Sequence, residues 1–111
     1  MTRDQAIQEI TRRLVAHYHP ERIYLFGSAA RGDDGADSDL DLCVVLPDDA
    51  PEKLLRSGAI YSVLRGIRYP ADVIPWRRTD FDARAAHVVA SLPATVLREG
   101  RLIYDARRVA A

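Results

Sequence analysis

Apolar positions recur along the chain with two periods, and the switches between them divide it into alternating helices and strands. Ile7, Ile10, Leu14 and Tyr18 fall three or four residues apart, which puts them on one face of a helix. Thr2 followed by Gln5 has the form of a capping box, so a first helix is expected over 3–17, stopped before Pro20. Residues 22–26 are β-branched and aromatic and end in Gly27-Ser28, as a short strand meeting a turn would. Residues 31–38 form a polar, Gly-rich loop. The stretch 39–46 starts with alternation and becomes continuously apolar, the pattern of a central strand covered on both faces.

Pro51 stands at a favoured first helical position and predicts a helix over 51–65, with Leu54, Leu55, Ala59 and Val63 on one side. Gly58 within it costs about 1 kcal/mol relative to Ala. A third strand over 71–76 lies between Pro70 and Pro75, and prolines belong at sheet edges. Thr79 with Asp82 reads as a second capping signature. It leads a helix with Phe81, Ala85, Val88, Val89 and Leu92 on one stripe, kinked or restarted at Pro93 and ended by Gly100. A last strand is expected over 101–104. The expected fold is α/β (α+β): a small mixed sheet of about four strands with helices packed on it.

At 111 residues the chain has room for one core, and 1–111 reads as a single domain. Sixteen basic and sixteen acidic residues cancel to a formal charge of zero, which argues against a nucleic-acid coating protein or any function that needs a strong overall field. No direct nucleic-acid binding is expected. The lone Cys43, among Leu42, Val44, Val45 and Leu46, reads as a small buried hydrophobe. Charges at Arg3, Asp4, Glu9, Arg12 and Arg13 exclude a signal peptide in the first twenty residues, and no uncharged run is long enough to span a bilayer. The expectation is a cytoplasmic protein without a membrane segment.

Local charge is more informative than its sum. Five aspartates crowd positions 33–41, and the last two, Asp39 and Asp41, straddle Leu40. Side chains alternate along a strand, so the two carboxylates share one face about 7 Å apart, while Leu40 and Leu42 point into the core. Carboxylates so placed repel one another unless a cation lies between them. A hard divalent ion such as Mg²⁺ suits this oxygen set; zinc does not, because His17, His19 and His87 show no ligand spacing around the acids. Gly27-Ser28 supplies the complementary half. Backbone N–H groups and a hydroxyl at a strand-to-helix turn form a phosphate site, and Gly27 carries no Cβ to obstruct it. A third carboxylate is expected to complete the metal site or to deprotonate an attacking hydroxyl. Asp72, at the start of the apolar run Asp72-Val73-Ile74, is the candidate. A calcium loop is excluded because Gly and Glu are missing at its sixth and twelfth positions, and no P-loop motif occurs. A solvated acidic turn would not continue into a buried strand as Asp-Leu-Asp. The three histidines and the five tyrosines read as surface or capping and as core or interface residues, respectively.

The pieces Gly27-Ser-Ala-Ala-Arg-Gly and Ser38-Asp-Leu-Asp-Leu resemble the signature of the DNA polymerase β-like nucleotidyltransferase superfamily. They are most similar to the minimal nucleotidyltransferases found as antitoxins beside HEPN-domain ribonuclease toxins. The resemblance implies that Gly27 and Ser28 hold a nucleotide triphosphate, with Arg31 bridging phosphate or pinning the loop. Asp39, Asp41 and Asp72 would be the catalytic and Mg²⁺-binding acids, with Asp72 as base. It implies transfer of AMP from ATP to a hydroxyl, a tyrosine on a partner HEPN toxin, although no residue here selects ATP over other nucleotides. The shortness of the chain leaves the acceptor to be brought by a partner. A second reading is an antitoxin that neutralises its partner by covering it; the presence of all three acids favours the enzyme.

Overall fold

The computed structural model describes residues 1–27, 30, 39–56 and 58–109. Its first helix, α1 (Arg3–Tyr18), is fixed at both ends by the local sequence. Thr2 Oγ1 accepts from the Gln5 amide at 3.1 Å and Gln5 Oε1 accepts from the Thr2 amide at 2.8 Å, closing the reciprocal pair that the Thr-x-x-Gln spacing predicts. At the other end His19 adopts φ 48°, ψ 54° and donates its amide to the Val15 carbonyl, a left-handed cap that turns the chain before Pro20.

Four strands follow in one mixed sheet: β1 (Arg22–Phe26), β2 (Leu40–Leu46), β3 (Ala71–Arg77) and β4 (Arg101–Asp105), in the order β3-β2-β1-β4. β1 runs antiparallel to both β2 and β4, whereas β2 and β3 are parallel. The expected mixed four-stranded sheet is therefore observed, with the proline-flanked β3 at an edge.

Both faces of β2 are covered, as its unbroken apolar run requires. On one face Leu40, Leu42, Val44 and Leu46 pack with Ile7, Ile10, Leu14 and Tyr18 of α1 and with Ile23 and Leu25. On the other, Cys43 and Val45 pack with Tyr24, Phe81 and Val96. Ile10 and Leu14 are fully buried, each contributing about 1.5–3 kcal/mol of transfer free energy. Cys43 is buried as expected, and burial pushes its thiol up to about 12.

Two expected helices are broken. In place of one helix over 51–65 there is a 3₁₀ turn (Glu52–Leu55) and a single helical turn, α2 (Ile60–Val63), with Arg56 extended between them and no side-chain cap on either. Ala59 is exposed rather than facing the core. The cost of Gly58 and the missing caps explain the break. α2 is held by Ile60 and Leu64 packing against the core and by Arg13, whose guanidinium donates to the carbonyls of Val63 and Arg65 at 3.1 and 2.7 Å, groups that a helix end leaves without partners. Glu9 in turn grips Arg13 and Arg12, and those guanidiniums hold its carboxyl down at about 2.

The helix expected over 79–100 is likewise two helices, α3 (Arg78–His87) and α4 (Leu92–Glu99). Ser91 caps α4 by accepting from the Ala94 amide at 3.2 Å, and Pro93 occupies its first turn. Of the two outcomes expected at Pro93, a kink or a restart, the structure shows the restart. Val88 and Val89 fall between the two and are exposed. Thr79 is not the cap of α3. It lies inside the first turn, and the cap comes from Asp48, which accepts from the Thr79 amide at 2.9 Å and from its hydroxyl. A last turn, α5 (Ala106–Val109), follows β4. No described helix is long and apolar enough to cross a membrane.

Candidate active site

The end of the sheet where β2 begins carries the acids. Register pairs Asp41 of β2 directly with Asp72 of β3 and with Phe26 of β1. Residues directly opposite in neighbouring strands share a face, so Asp41 and Asp72 stand side by side on the Cys43 face of the sheet. Asp39 lies one residue before β2, exposed, on the face that Asp41 shares by alternation. The two residues between and beyond them, Leu40 and Leu42, are fully buried on the opposite face, which fixes the register: a one-residue slip would take both leucines out of the α1 core and turn the carboxylates into it.

Gly27 closes the site from the β1 side. It adopts φ +77°, and a Cβ built on it would collide with Asp41 Oδ2 and lie 3.3 Å from Asp41 Cγ. Glycine is required here twice over, by the backbone conformation and by the carboxylate lying against its Cα. Burial pushes the Asp41 carboxyl above its ordinary value, and the charges of Asp72 and then Asp39 push it further the same way. The three acids thus form one electrostatic unit. They do not form a closed metal cage: among the described residues no three His, Cys, Asp or Glu side chains are grouped to hold an ion. Asp41 leans on Gly27, while Asp39 and Asp72 are among the residues lining a cavity at the β3 edge, most of whose wall packs with Leu40 and Leu42 on the opposite face of the sheet.

That cavity, about 400 Å³, is walled by Ile60, Tyr61 and Leu64 of the α2 segment and by Tyr69 and Pro70 before β3, with Asp39, Ala71, Asp72 and Val73 completing it. Sequence reasoning placed the tyrosines in core or interface and did not find this wall. The i, i+4 pair Ile60 and Leu64 was its only signal, because α2 forms through core packing and Arg13 rather than through caps of its own. Of the residues expected to bind nucleotide, Gly27 is at the site, and Ser28 and Arg31 lie outside the described residues.

A family model of the nucleotidyltransferase domain matches residues 6–102, a span that includes every acid above and the whole sheet but its last strand's end. The chain belongs to the nucleotidyltransferase family. It is accordingly a transferase of the type that moves nucleotidyl groups, and members of the family typically use a divalent metal. Solved structures share the fold. A protein described as a nucleotidyltransferase from Sulfolobus solfataricus is 24% identical with a TM-score of 0.60, covering 94% of this nucleotidyltransferase and 81% of its own chain. A toxin–antitoxin crystallised with AMP-PNP is 21% identical with a TM-score of 0.51, over 92% of this chain and 75% of that one. The toxin–antitoxin MntA-HpeT, in a mutant with two aspartates exchanged for glutamate, is 15% identical with a TM-score of 0.55, over 98% and 77% of the two chains. No curated protein matches the sequence.

Proposed function

We propose that this nucleotidyltransferase is a single-domain antitoxin of the cytoplasm that transfers AMP from ATP to a tyrosine hydroxyl of a HEPN-type ribonuclease toxin. The observation that carries the reading is the Asp41–Asp72 register pair with Gly27 beneath Asp41. The likeness to toxin–antitoxin structures, one of them holding a nucleotide analogue, supports the antitoxin role.

The donor set fits Mg²⁺. All three candidate ligands are hard carboxylate oxygens, and burial with the charges of Asp72 and Asp39 raises the Asp41 carboxyl, which a cation would reverse. Mg²⁺ takes one or two carboxylates and completes its shell with water and substrate phosphates, so three converging side chains are not required. Asp39, Asp41 and Asp72 would hold it, and when bound it would neutralise charge on the transferring phosphate. The chain's own residues do the rest. The backbone at Gly27, with Ser28 and Arg31, would contact the triphosphate, while the missing Cβ leaves room for the Asp41 carboxylate. Asp72, beside Asp41, accepts the proton of the acceptor hydroxyl. The hydroxyl oxygen forms a bond to the α-phosphorus as the bond to the bridging oxygen breaks, and pyrophosphate leaves.

The test is incubation with α-labelled ATP, Mg²⁺ and the protein encoded by the adjacent gene. Transfer of label to that protein, abolished in Asp39→Ala/Asp41→Ala, is expected. No transfer, or transfer undiminished in the double variant, overturns the proposal. Neutralisation of the toxin by the double variant at full strength would favour the reading in which covering alone suffices.

A further inference from the structure

The row of residues that joins Asp72 to Asp41 runs on across the sheet. Asp41 is paired with Phe26 of β1. Arg101 pairs with Leu25, which brings Gly100, the link between α4 and β4, against Phe26. Phe26 packs with Cys43, Phe81 and Val96, so the row lies on the face of the sheet that carries Asp41 and Asp72.

Gly100 ends a helix, but its conformation does not call for glycine: φ −85° and ψ 175° are extended values open to any residue. Contact calls for it. A Cβ there would lie 2.6 Å from the Val96 carbonyl oxygen, 3.0 Å from the Leu25 carbonyl oxygen and 3.4 Å from Phe26 Cβ. The two oxygens are backbone atoms, one of α4 and one of β1, and cannot swing aside as a side chain does. The Gly100 amide donates to the same Val96 carbonyl at 2.7 Å, which closes the last turn of α4 onto this point.

We infer that Gly100 is a positioning residue for the nucleotide site: by letting the end of α4 press on Leu25 and Phe26, it sets where Gly27 meets Asp41. This role rests on the reading above in which the backbone at Gly27 contacts the triphosphate. Gly27 follows Phe26 directly, and it has no slack, because the Asp41 carboxylate lies against its Cα. One methyl group at Gly100 wedges α4 from β1. The displacement passes from Phe26 to Gly27 through a single peptide unit, which is planar and stiff. Misplacement by about 1 Å can cost about a hundredfold in a site's performance, so a shift of a few tenths of an ångström reads out as about tenfold.

Val96 supplies the control. It is fully buried in the same cluster, on the helix that Gly100 ends. Val96→Ala removes packing from α4 without adding an atom beside β1.

The experiment compares the wild type, Gly100→Ala and Val96→Ala as full chains. From each are taken the Tm, the Gly27 amide resonance in labelled protein, and the affinity for a non-hydrolysable ATP analogue with Mg²⁺. Both variants should melt below the wild type. Only Gly100→Ala should move the Gly27 resonance and weaken the analogue, by about tenfold or about 1.4 kcal/mol. If Gly100→Ala unfolds in plain buffer, all three proteins are compared in sucrose, which favours the compact state. An unmoved Gly27 resonance, or equal weakening of the analogue by both variants, overturns the inference. So does a Gly100→Ala chain that stays unfolded in sucrose, since Gly100 would then be a requirement of folding and not of the site. Failure of the wild type to bind the analogue counts against the nucleotide reading alone, and the Gly27 resonance still decides the positioning role.

Discussion

Replacement of Gly27 by Ala tests how tightly the acid site is built into the backbone. The substitution forces an L-residue to φ +77°, which costs about 1–2 kcal/mol. It also drives the new Cβ into Asp41 Oδ2. The carboxylate can escape only by leaving its rotamer, at about 0.5–1.5 kcal/mol. The two contributions separate in a double-mutant cycle. In an Asp41→Ala background the colliding oxygen is gone and only the backbone cost remains. Calorimetric melts of the four proteins should therefore show a loss of about 2–3 kcal/mol for Gly27→Ala alone, equivalent to a Tm lower by about 8–20 °C. The coupling energy between the two positions should be about 1 kcal/mol. An identical penalty in both backgrounds would refute the contact between Gly27 and Asp41. A penalty below about 0.5 kcal/mol would refute the left-handed backbone as well.

Asp41→Asn should raise Tm at pH 7. The folded state holds the Asp41 proton more tightly than the unfolded chain does, so ionisation of this group subtracts stability as pH rises past the ordinary carboxyl value of 3.8. The gain should vanish in melts taken below that pH. Asp48→Ala should fray the start of α3, seen as faster amide exchange at Thr79. Because Thr79 holds the Asp48 carboxyl below its ordinary value, the wild type should lose the same protection as pH falls below 3.8. Arg13→Ala should free α2, seen as increased exchange of the Val63 and Leu64 amides, and should raise the Glu9 midpoint from about 2 in an NMR titration. Cys43 should resist iodoacetamide in the native state and react fully in denaturant, since its thiol is buried and pushed up to about 12.

The sheet was legible because its strands carry strong local signals: continuous apolar residues in β2, prolines around β3, glycine after β1 and before β4. The acids were legible for the same reason, since alternation about Leu40 and Leu42 dictates which face Asp39 and Asp41 take. The pairing of Asp41 with Asp72 was not, because two positions thirty-one residues apart become neighbours only through the parallel register of β2 and β3. The misread helices share one cause. Thr79 and Pro51 have the residue types of helix starts, yet α3 is capped by Asp48 and α2 is held in part by Arg13, both from distant parts of the chain. Capping by a remote side chain leaves no spacing to read. The start of α4 did leave a signal, Pro93 just after Ser91, and the sequence offered a restart there.

The edge position of β3 has a consequence for how this protein would fail. Among the described residues only β2 pairs with it, and none of its seven residues is fully buried, whereas β2 is sealed on both faces. Detachment of β3 breaks one ladder and lifts Ala71, Val73 and Trp76 off the core clusters, but as a local opening it requires less free energy than global unfolding. That single excursion separates Asp72 from Asp41 and removes one side of the cavity. Inactivation on warming should therefore run ahead of the loss of secondary structure, and the chain's working temperature limit is set by the docking of one strand rather than by its core.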